Sequence, residues 1–155
     1  MTVSKIVAAA ASGAGSDPID VDDVFNTFVW EGTGSAKTIT NNIDLSGEGG
    51  LVWVKKRSGS SSHTFQDTAR GATKHIRSNA DSSEATEAQT ITAFNSNGFT
   101  LGTDDIVNAS GSDYAGWTFR KSKKFFDVVT YTGTGSTRTL SHNLDCEIGQ
   151  IWIKC

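Results

Sequence analysis

The residues of this 155-residue chain with the means to do chemistry are few and scattered. Glu84 and Glu87 stand close enough to be weighed as the two carboxylates of a glycosidase, which flank a sugar bond at a fixed separation. They lie in a polar Ser/Thr/Ala stretch that reads as an exposed loop, where nothing raises the pKa of an acid partner. His63, His75 and His142 have no second ligand at metal spacing, so zinc is not indicated. Gly32-Thr33-Gly34 and Gly133-Thr134-Gly135 lack the third glycine of a dinucleotide fingerprint and the Lys-Ser/Thr ending of a phosphate loop, and they read as turns. There is no Gly-x-Ser-x-Gly elbow for a serine hydrolase. Asp17, Asp20, Asp22 and Asp23 lack the central glycine and closing glutamate of a calcium loop, and read as a solvated acidic linker. Arg120-Lys121-Ser122-Lys123-Lys124 is the strongest charge cluster, a solvated hinge by default and a contact for an acidic surface as the sharper alternative. No catalytic, cofactor-binding or metal-binding residue is assigned, and no enzymatic activity is expected.

Composition narrows the class. A formal net charge of −3 argues against a general nucleic-acid surface, which needs clustered positive charge. Glycine (16) is frequent and proline (1) scarce, with Ser, Thr and Asn between short apolar runs, the texture of short strands and tight turns. No stretch approaches the ~20 apolar residues of a membrane span, so no membrane insertion is expected. Cys146 and Cys155 both lie late in the chain, which argues against a disulfide scaffold and for assembly in a reducing cytoplasm. Residues 1–16 are rich in small residues; the apolar run 6–11 is too short, and Lys5 alone too little positive charge, for a secretory signal. With the acidic link after them they read as an extended arm of residues 1–24, with too little apolar area to offset its own ordering entropy unless it docks on a partner.

The elements that would position these residues are β. In residues 25–30, Phe25, Thr27 and Val29 alternate with Phe28 and Trp30, as a strand requires. Residues 37–43 are expected to return from the Gly32-Thr33-Gly34 turn as its hairpin partner. Further strands are expected at 51–56, 63–68, 90–94, 99–101 and 114–120, with a turn at Asn95-Ser96-Asn97-Gly98 and a turn or two of helix over 81–88. Short strands with regular turn signals predict an all-β sandwich or jelly roll. Within it Trp30, Trp53 and Trp117 are expected to serve core packing rather than ligand stacking, while Tyr114, beside Gly111-Ser112-Asp113, is a candidate for surface recognition.

The chain also repeats itself. The run from Gly32 to Asp44 returns as Gly133 to Asp145, with Lys37 becoming Arg138, Ile39 Leu140 and Ile43 Leu144. Phe25 and Trp30 precede the first copy as Phe126 and Tyr131 precede the second, and Val52-Trp53-Val54-Lys55 is answered by Ile151-Trp152-Ile153-Lys154 after a two-residue shortening. A repeat changes what counts as a domain. It divides the chain into a module over 25–124 and the start of a second over 125–155, ending in an expected strand at 150–155 with Ile151 and Ile153 on one face and Trp152 on the other. An unpaired apolar strand at a terminus is a hazard that proteins avoid, so the chain reads as the N-terminal part of a longer polypeptide.

Taken as a set, the 25–30 strand, Gly32-Thr33-Gly34, Gly50-Leu51-Val52-Trp53-Val54-Lys55, Asp67-Thr68-Ala69-Arg70-Gly71-Ala72, Phe94-Asn95-Ser96-Asn97-Gly98-Phe99-Thr100-Leu101-Gly102, Asn108-Ala109-Ser110-Gly111 and Tyr114-Ala115-Gly116-Trp117-Thr118-Phe119-Arg120 resemble the tandem modules of tail-fibre-like and other virion surface proteins of marine bacteriophages, cyanophages especially. Those modules are similar to concanavalin A-like lectin sandwiches. The resemblance covers residues 25–155 and implies a virion structural protein, assembled in the host cytoplasm, with a part in host attachment. It implies docking on other virion proteins of tail or capsid through the arm, with Val3, Lys5, Ile6, Val7, Ile19 and Val21 as the contact residues, and a homo-oligomer such as a trimer. A carbohydrate-binding module gripping host surface polysaccharide and a capsid decoration protein are the alternatives. It carries over no catalytic residue, and a lectin-like fold does not by itself establish sugar binding.

Overall fold

The computed structural model describes residues 18–154. Among them the elements run α1 (Val21–Val24), β1 (Phe25–Glu31), β2 (Lys37–Thr40), β3 (Gly50–Lys56), β4 (Thr64–Asp67), β5 (Lys74–Arg77), β6 (Ala85–Thr86), β7 (Ile91–Asn95), β8 (Gly98–Leu101), α2 (Asp105–Asn108) and β9 (Asp113–Arg120). The strands form a six-stranded sheet in the order β1-β9-β3-β4-β5-β6 and a three-stranded sheet in the order β2-β8-β7. All pairings are antiparallel. The protein is all-β, as its turn-rich, proline-poor sequence predicts.

Strand alternation builds one core between the two sheets. Phe28 and Trp30 of β1, Val52 and Val54 of β3 and Tyr114 of β9 face Ile39 of β2, Ile91 of β7, and Phe99 and Leu101 of β8, with Ile43, Leu45 and Val107 from the connections. Each such aliphatic or aromatic side chain is worth roughly 1.5–3 kcal/mol when fully buried. Buried polar pairs pin the sheets together: Asn41 Nδ2 donates to Thr118 Oγ1 of β9 at 2.8 Å, and Gln66 of β4 donates to Thr90 Oγ1 at 2.7 Å while accepting from Ile91 N at 3.2 Å.

The expected hairpin between 25–30 and 37–43 does not form. β1 pairs along its whole length with β9, from Phe25 opposite Phe119 to Glu31 opposite Asp113, and β2 crosses to the small sheet to pair with β8. The loop between them is seated on the α2–β9 connection: Gly32 N donates to Ser112 O and Gly34 N to Asn108 O, both at 2.8 Å. A Cβ on Gly32 would run into the Ala109 carbonyl oxygen, so glycine is required there for close approach rather than for a reversal. Asn108 completes the seat from a fully buried position, accepting from Thr33 N at 2.9 Å and donating to Ser35 O and Gly102 O at 2.6 and 2.7 Å.

The strands expected at 51–56, 63–68, 90–94, 99–101 and 114–120 are β3, β4, β7, β8 and β9, and the Asn95–Gly98 turn closes the β7–β8 hairpin. Residues 81–88 are not helical; β6 runs there, drawn onto β5 by the pairing of Thr86 with Lys74 and by the 2.9 Å ion pair of Lys74 with Glu84. The end of the expected arm is not extended either. Asp20 Oδ1 accepts from Asp22 N at 3.1 Å and caps α1, which delivers Val24 into a site where it is 1% exposed, so the folded body begins before Phe25.

Residues 125–154 hold no strand; Phe126 makes one isolated bridge to Ser122. The strand expected over 150–155 is therefore absent from 150–154, and Cys155 lies outside the described residues. The turn of the repeat is nevertheless reproduced. Gly34 and Gly135 have φ of 67° and 71°. Thr33 Oγ1 donates to Ser35 O at 2.9 Å, as Thr134 Oγ1 does to Ser136 O at 3.5 Å. Lys37 reaches Glu31 O, and Arg138 reaches Thr132 O, both at 2.9 Å. Strands do not follow because β1, β2 and β3 never pair with one another: their partners are β9, β8 and the pair β4 and β9, and 125–154 contains counterparts of the first three alone.

Gly116 of β9 lies under the Trp30 ring, where a Cβ would come within 2.9 Å of Cζ3. Gly116→Val is expected to lower stability by about 1–3 kcal/mol through overpacking, read as a fall in the urea midpoint at unchanged slope.

Candidate interaction surface

The inward alternation of the six-stranded sheet leaves a second row of side chains on its outer face, and here that row is aromatic. Phe25 of β1, Trp53 of β3, Phe65 of β4 and Trp117 and Phe119 of β9 all point outward and all are half-buried. The register sets Trp53 opposite both Phe65 and Trp117, with ring centroids 5.1 Å apart in each pair, and Phe25 lies 5.0 Å from Phe119. Edge and tilted geometries of this kind add about 0.5–1.5 kcal/mol per pair beyond the area they bury.

The second copy of the repeat is seated on this layer. Trp152 stacks on Phe65 at 6.0 Å and 4° between planes, and sets edges against Trp53 at 6.3 Å and Phe119 at 5.7 Å. Phe126 lies 5.2 Å from Phe119. Lys154 Nζ donates to Ser82 O at 2.9 Å. The basic run is not a free hinge: Lys121 pairs with Asp127 at 3.1 Å and Lys123 with Asp145 at 3.3 Å, and Lys124 N donates to Leu144 O at 2.6 Å. Burial pushes the Asp127 carboxyl up, but N–H donors from Asn143 and Val128 and the Lys121 ammonium outweigh it and hold it below the usual carboxylate range. At the Phe65 end the layer is bordered by a charged chain, in which Asp67 pairs with Arg70, Arg70 with Glu84 at 3.8 Å, and Glu84 with Lys74 at 2.9 Å.

The residues weighed for chemistry are dispersed. Glu84 is exposed, and its hydrogen bond from Lys74 lowers its pKa, the opposite of what a general acid needs; Glu87 is exposed nearby. His63 lies 6.5 Å from Trp53 on the outer side, His75 is buried on the inner side of β5, and His142 lines an open cleft of about 250 Å³ with Lys123, Asn143 and Asp145. The described residues include no group of three or more His, Cys, Asp or Glu placed to hold a metal ion.

Tyr114 is not a surface residue. Its position on β9 turns it inward, where it is 0% exposed, stacks on Trp30 at 5.6 Å, donates from its O–H to Asp105 O at 2.6 Å and accepts from Ala109 N at 2.8 Å. Trp30 is a core residue as expected, with Nε1 bonded to Val107 O at 3.1 Å. Trp53 and Trp117 pack in the outer layer, not between the sheets. Of the arm contacts, Ile19 and Val21 are exposed, and Val3, Lys5, Ile6 and Val7 lie outside the described residues. Sequence reasoning missed the outer layer, although its signal is present: β3 and β9 carry large apolar residues at both parities, the mark of a strand covered on both faces.

The sequence model of a domain family of unknown function, DUF7483, matches residues 20–154. The chain belongs to the DUF7483 family. The matched span takes in α1, both sheets and the segment seated on the aromatic layer. No curated protein and no solved structure is significantly similar to the chain.

His75, 4% exposed, has no hydrogen-bond partner at either ring nitrogen among the described residues. Burial first, and then the positive charge of Arg77, lower its pKa from 6.5, against the weaker opposing pull of Asp104 and Glu87. The unfolded chain thus binds this proton more readily than the folded one, so stability is full above the unfolded value and falls as pH drops through it. The thermal midpoint is expected to decrease from pH 7 to pH 5, with a shallower decrease in His75→Leu; an unchanged slope in that variant would assign the loss to other groups.

Proposed function

We propose that the chain is a bacteriophage virion structural protein, a tail-fibre-like appendage built of lectin-like, jelly-roll modules in series and anchored by its N-terminal arm. One observation carries this reading: the opening of the module's sequence recurs directly after it, and this second opening is seated on the first module through an aromatic face, as in a protein that builds length from modules in series. The motif resemblance of residues 25–155 to virion surface modules supplies the particle. The exposed side chains of Ile19, ahead of α1, and Val21, at its start, agree with an arm that finds its apolar partner elsewhere. Oligomerisation through symmetry and a role in host attachment belong to the same proposal. Capsid decoration differs from it in where the arm docks.

The carbohydrate-binding reading has one observation in its favour, the Trp152 ring, which is 48% exposed beside the half-buried Trp53. A flat, partly exposed indole is a common platform for a sugar ring.

Removal of residues 3–19, which keeps the Asp20 cap and α1, is expected to abolish incorporation into particles while leaving the thermal midpoint within a few degrees of the parent. Normal incorporation of that variant would sink the arm. On a host-envelope glycan array, binding by the full chain that disappears in Trp152→Ala would move the assignment to the lectin reading.

A further inference from the structure

The second copy packs one side against the first module and leaves the other bare. Val129, Tyr131, Ile151 and Ile153 are 43%, 49%, 65% and 74% exposed. Their sequence counterparts in the first copy are Phe28, Trp30, Val52 and Val54, all of which face the core, with Trp30 6% exposed and both valines 0%. Phe126 and Trp152, which touch the first module, correspond instead to Phe25 and Trp53, its outward residues. The two counterparts of outward residues make the contacts with the aromatic layer of the first module, Trp152 with 48% of its surface still open, and these four inward counterparts are exposed, while Leu140 and Leu144, counterparts of Ile39 and Ile43, are half-buried.

We propose that residues 125–154 are the opening strands of a second sandwich, laid outer face to outer face on the first, and that Val129, Tyr131, Ile151 and Ile153 form a docking surface for the remaining strands of a module of the same kind. The occupant is a polypeptide with the chemistry of residues 57–124. It brings a β9-like strand to run between 126–132 and 150–154, with a small residue against Tyr131 as Gly116 lies against Trp30, and a β7–β8-like apolar hairpin to close the core. The backbone argues for the same occupant. In the first module β1 and β3 share no ladder, and each bonds to β9 along its length. Without such a strand, the matching segments have no ladder to join, and strand addition is the interaction that would supply one. Two six-stranded sheets would then lie back to back across one shared aromatic layer. This assignment stands apart from the virion role.

The test extends the full chain after Cys155 with a second copy of residues 57–124 and follows amide hydrogen exchange. Residues 126–132 and 150–154 are expected to lose their fast exchange and to match Phe25–Glu31 and Gly50–Lys56. Persistent fast exchange there in a soluble extended chain overturns the proposal. Should the extension aggregate, the unextended chain decides. It is expected to bind a hydrophobic dye, the Ile151→Ser/Ile153→Ser pair to lose that signal at an unchanged thermal midpoint, and Trp152→Ala to lower the midpoint. A dye signal untouched by the double substitution overturns the assignment. So does a dimer of the parent that the double substitution dissolves, because it would give this face to a second chain.

Discussion

The insertion of β9 between β1 and β3 is the constraint on which the rest of the structure depends. β9 bonds to one strand on each edge, residues 113–119 against Glu31 to Phe25 and 114–120 against Lys56 to Gly50, so the first and third strands of the chain meet only through the last. Its inward residues Tyr114, Gly116 and Thr118 hold Trp30 and receive Asn41 from the small sheet, while its outward Trp117 and Phe119 anchor the aromatic layer. One eight-residue strand thereby joins the two-sheet core, the pin between sheets and the surface on which the second copy sits.

Much of this was legible in the sequence, and what was not has a common cause. Alternation in 25–30 assigned Phe28 and Trp30 to one face and Phe25 and Val29 to the other, as the structure has them. Strand positions and the Asn95–Gly98 turn also followed from local chemistry. Pairing did not, because Gly32-Thr33-Gly34 has the composition of a hairpin turn, while its actual role is set by Asn108, far along the chain. Tyr114 was misplaced for a similar reason: a glycine-rich neighbour signals a surface loop, whereas the parity of β9 points the ring inward. The face on which an aromatic residue lies becomes definite only when the partner strands are known.

The two copies separate local from long-range determinants within one molecule. The Thr-Gly-Ser turn and the cationic reach to the carbonyl at residue 31 or 132 are present in both, since each depends on residues no more than six apart. The ladders are present in one, since each depends on strands whose counterparts do not lie within residues 125–154. β-propensity sets out a pleated, half-buried surface, and the strand appears when something is there to bury it.

The pairing of β1 with β9 also orders events in time. A contact between chain segments this far apart forms only after loop-closure entropy has been overcome, and such contacts slow folding. During synthesis β1 leaves the ribosome first yet has no ladder partner until the strand at 113–120 emerges, whereas β3–β4 and β7–β8 close locally as they appear. By then the counterparts of β1 to β3 in residues 125–154 are next in line. The two first segments on either side of β9 share Phe25 and Phe126 and differ at the other six positions. Val129 and Tyr131 stand where the first copy has Phe28 and Trp30, so the later segment offers β9 smaller side chains than β1 does.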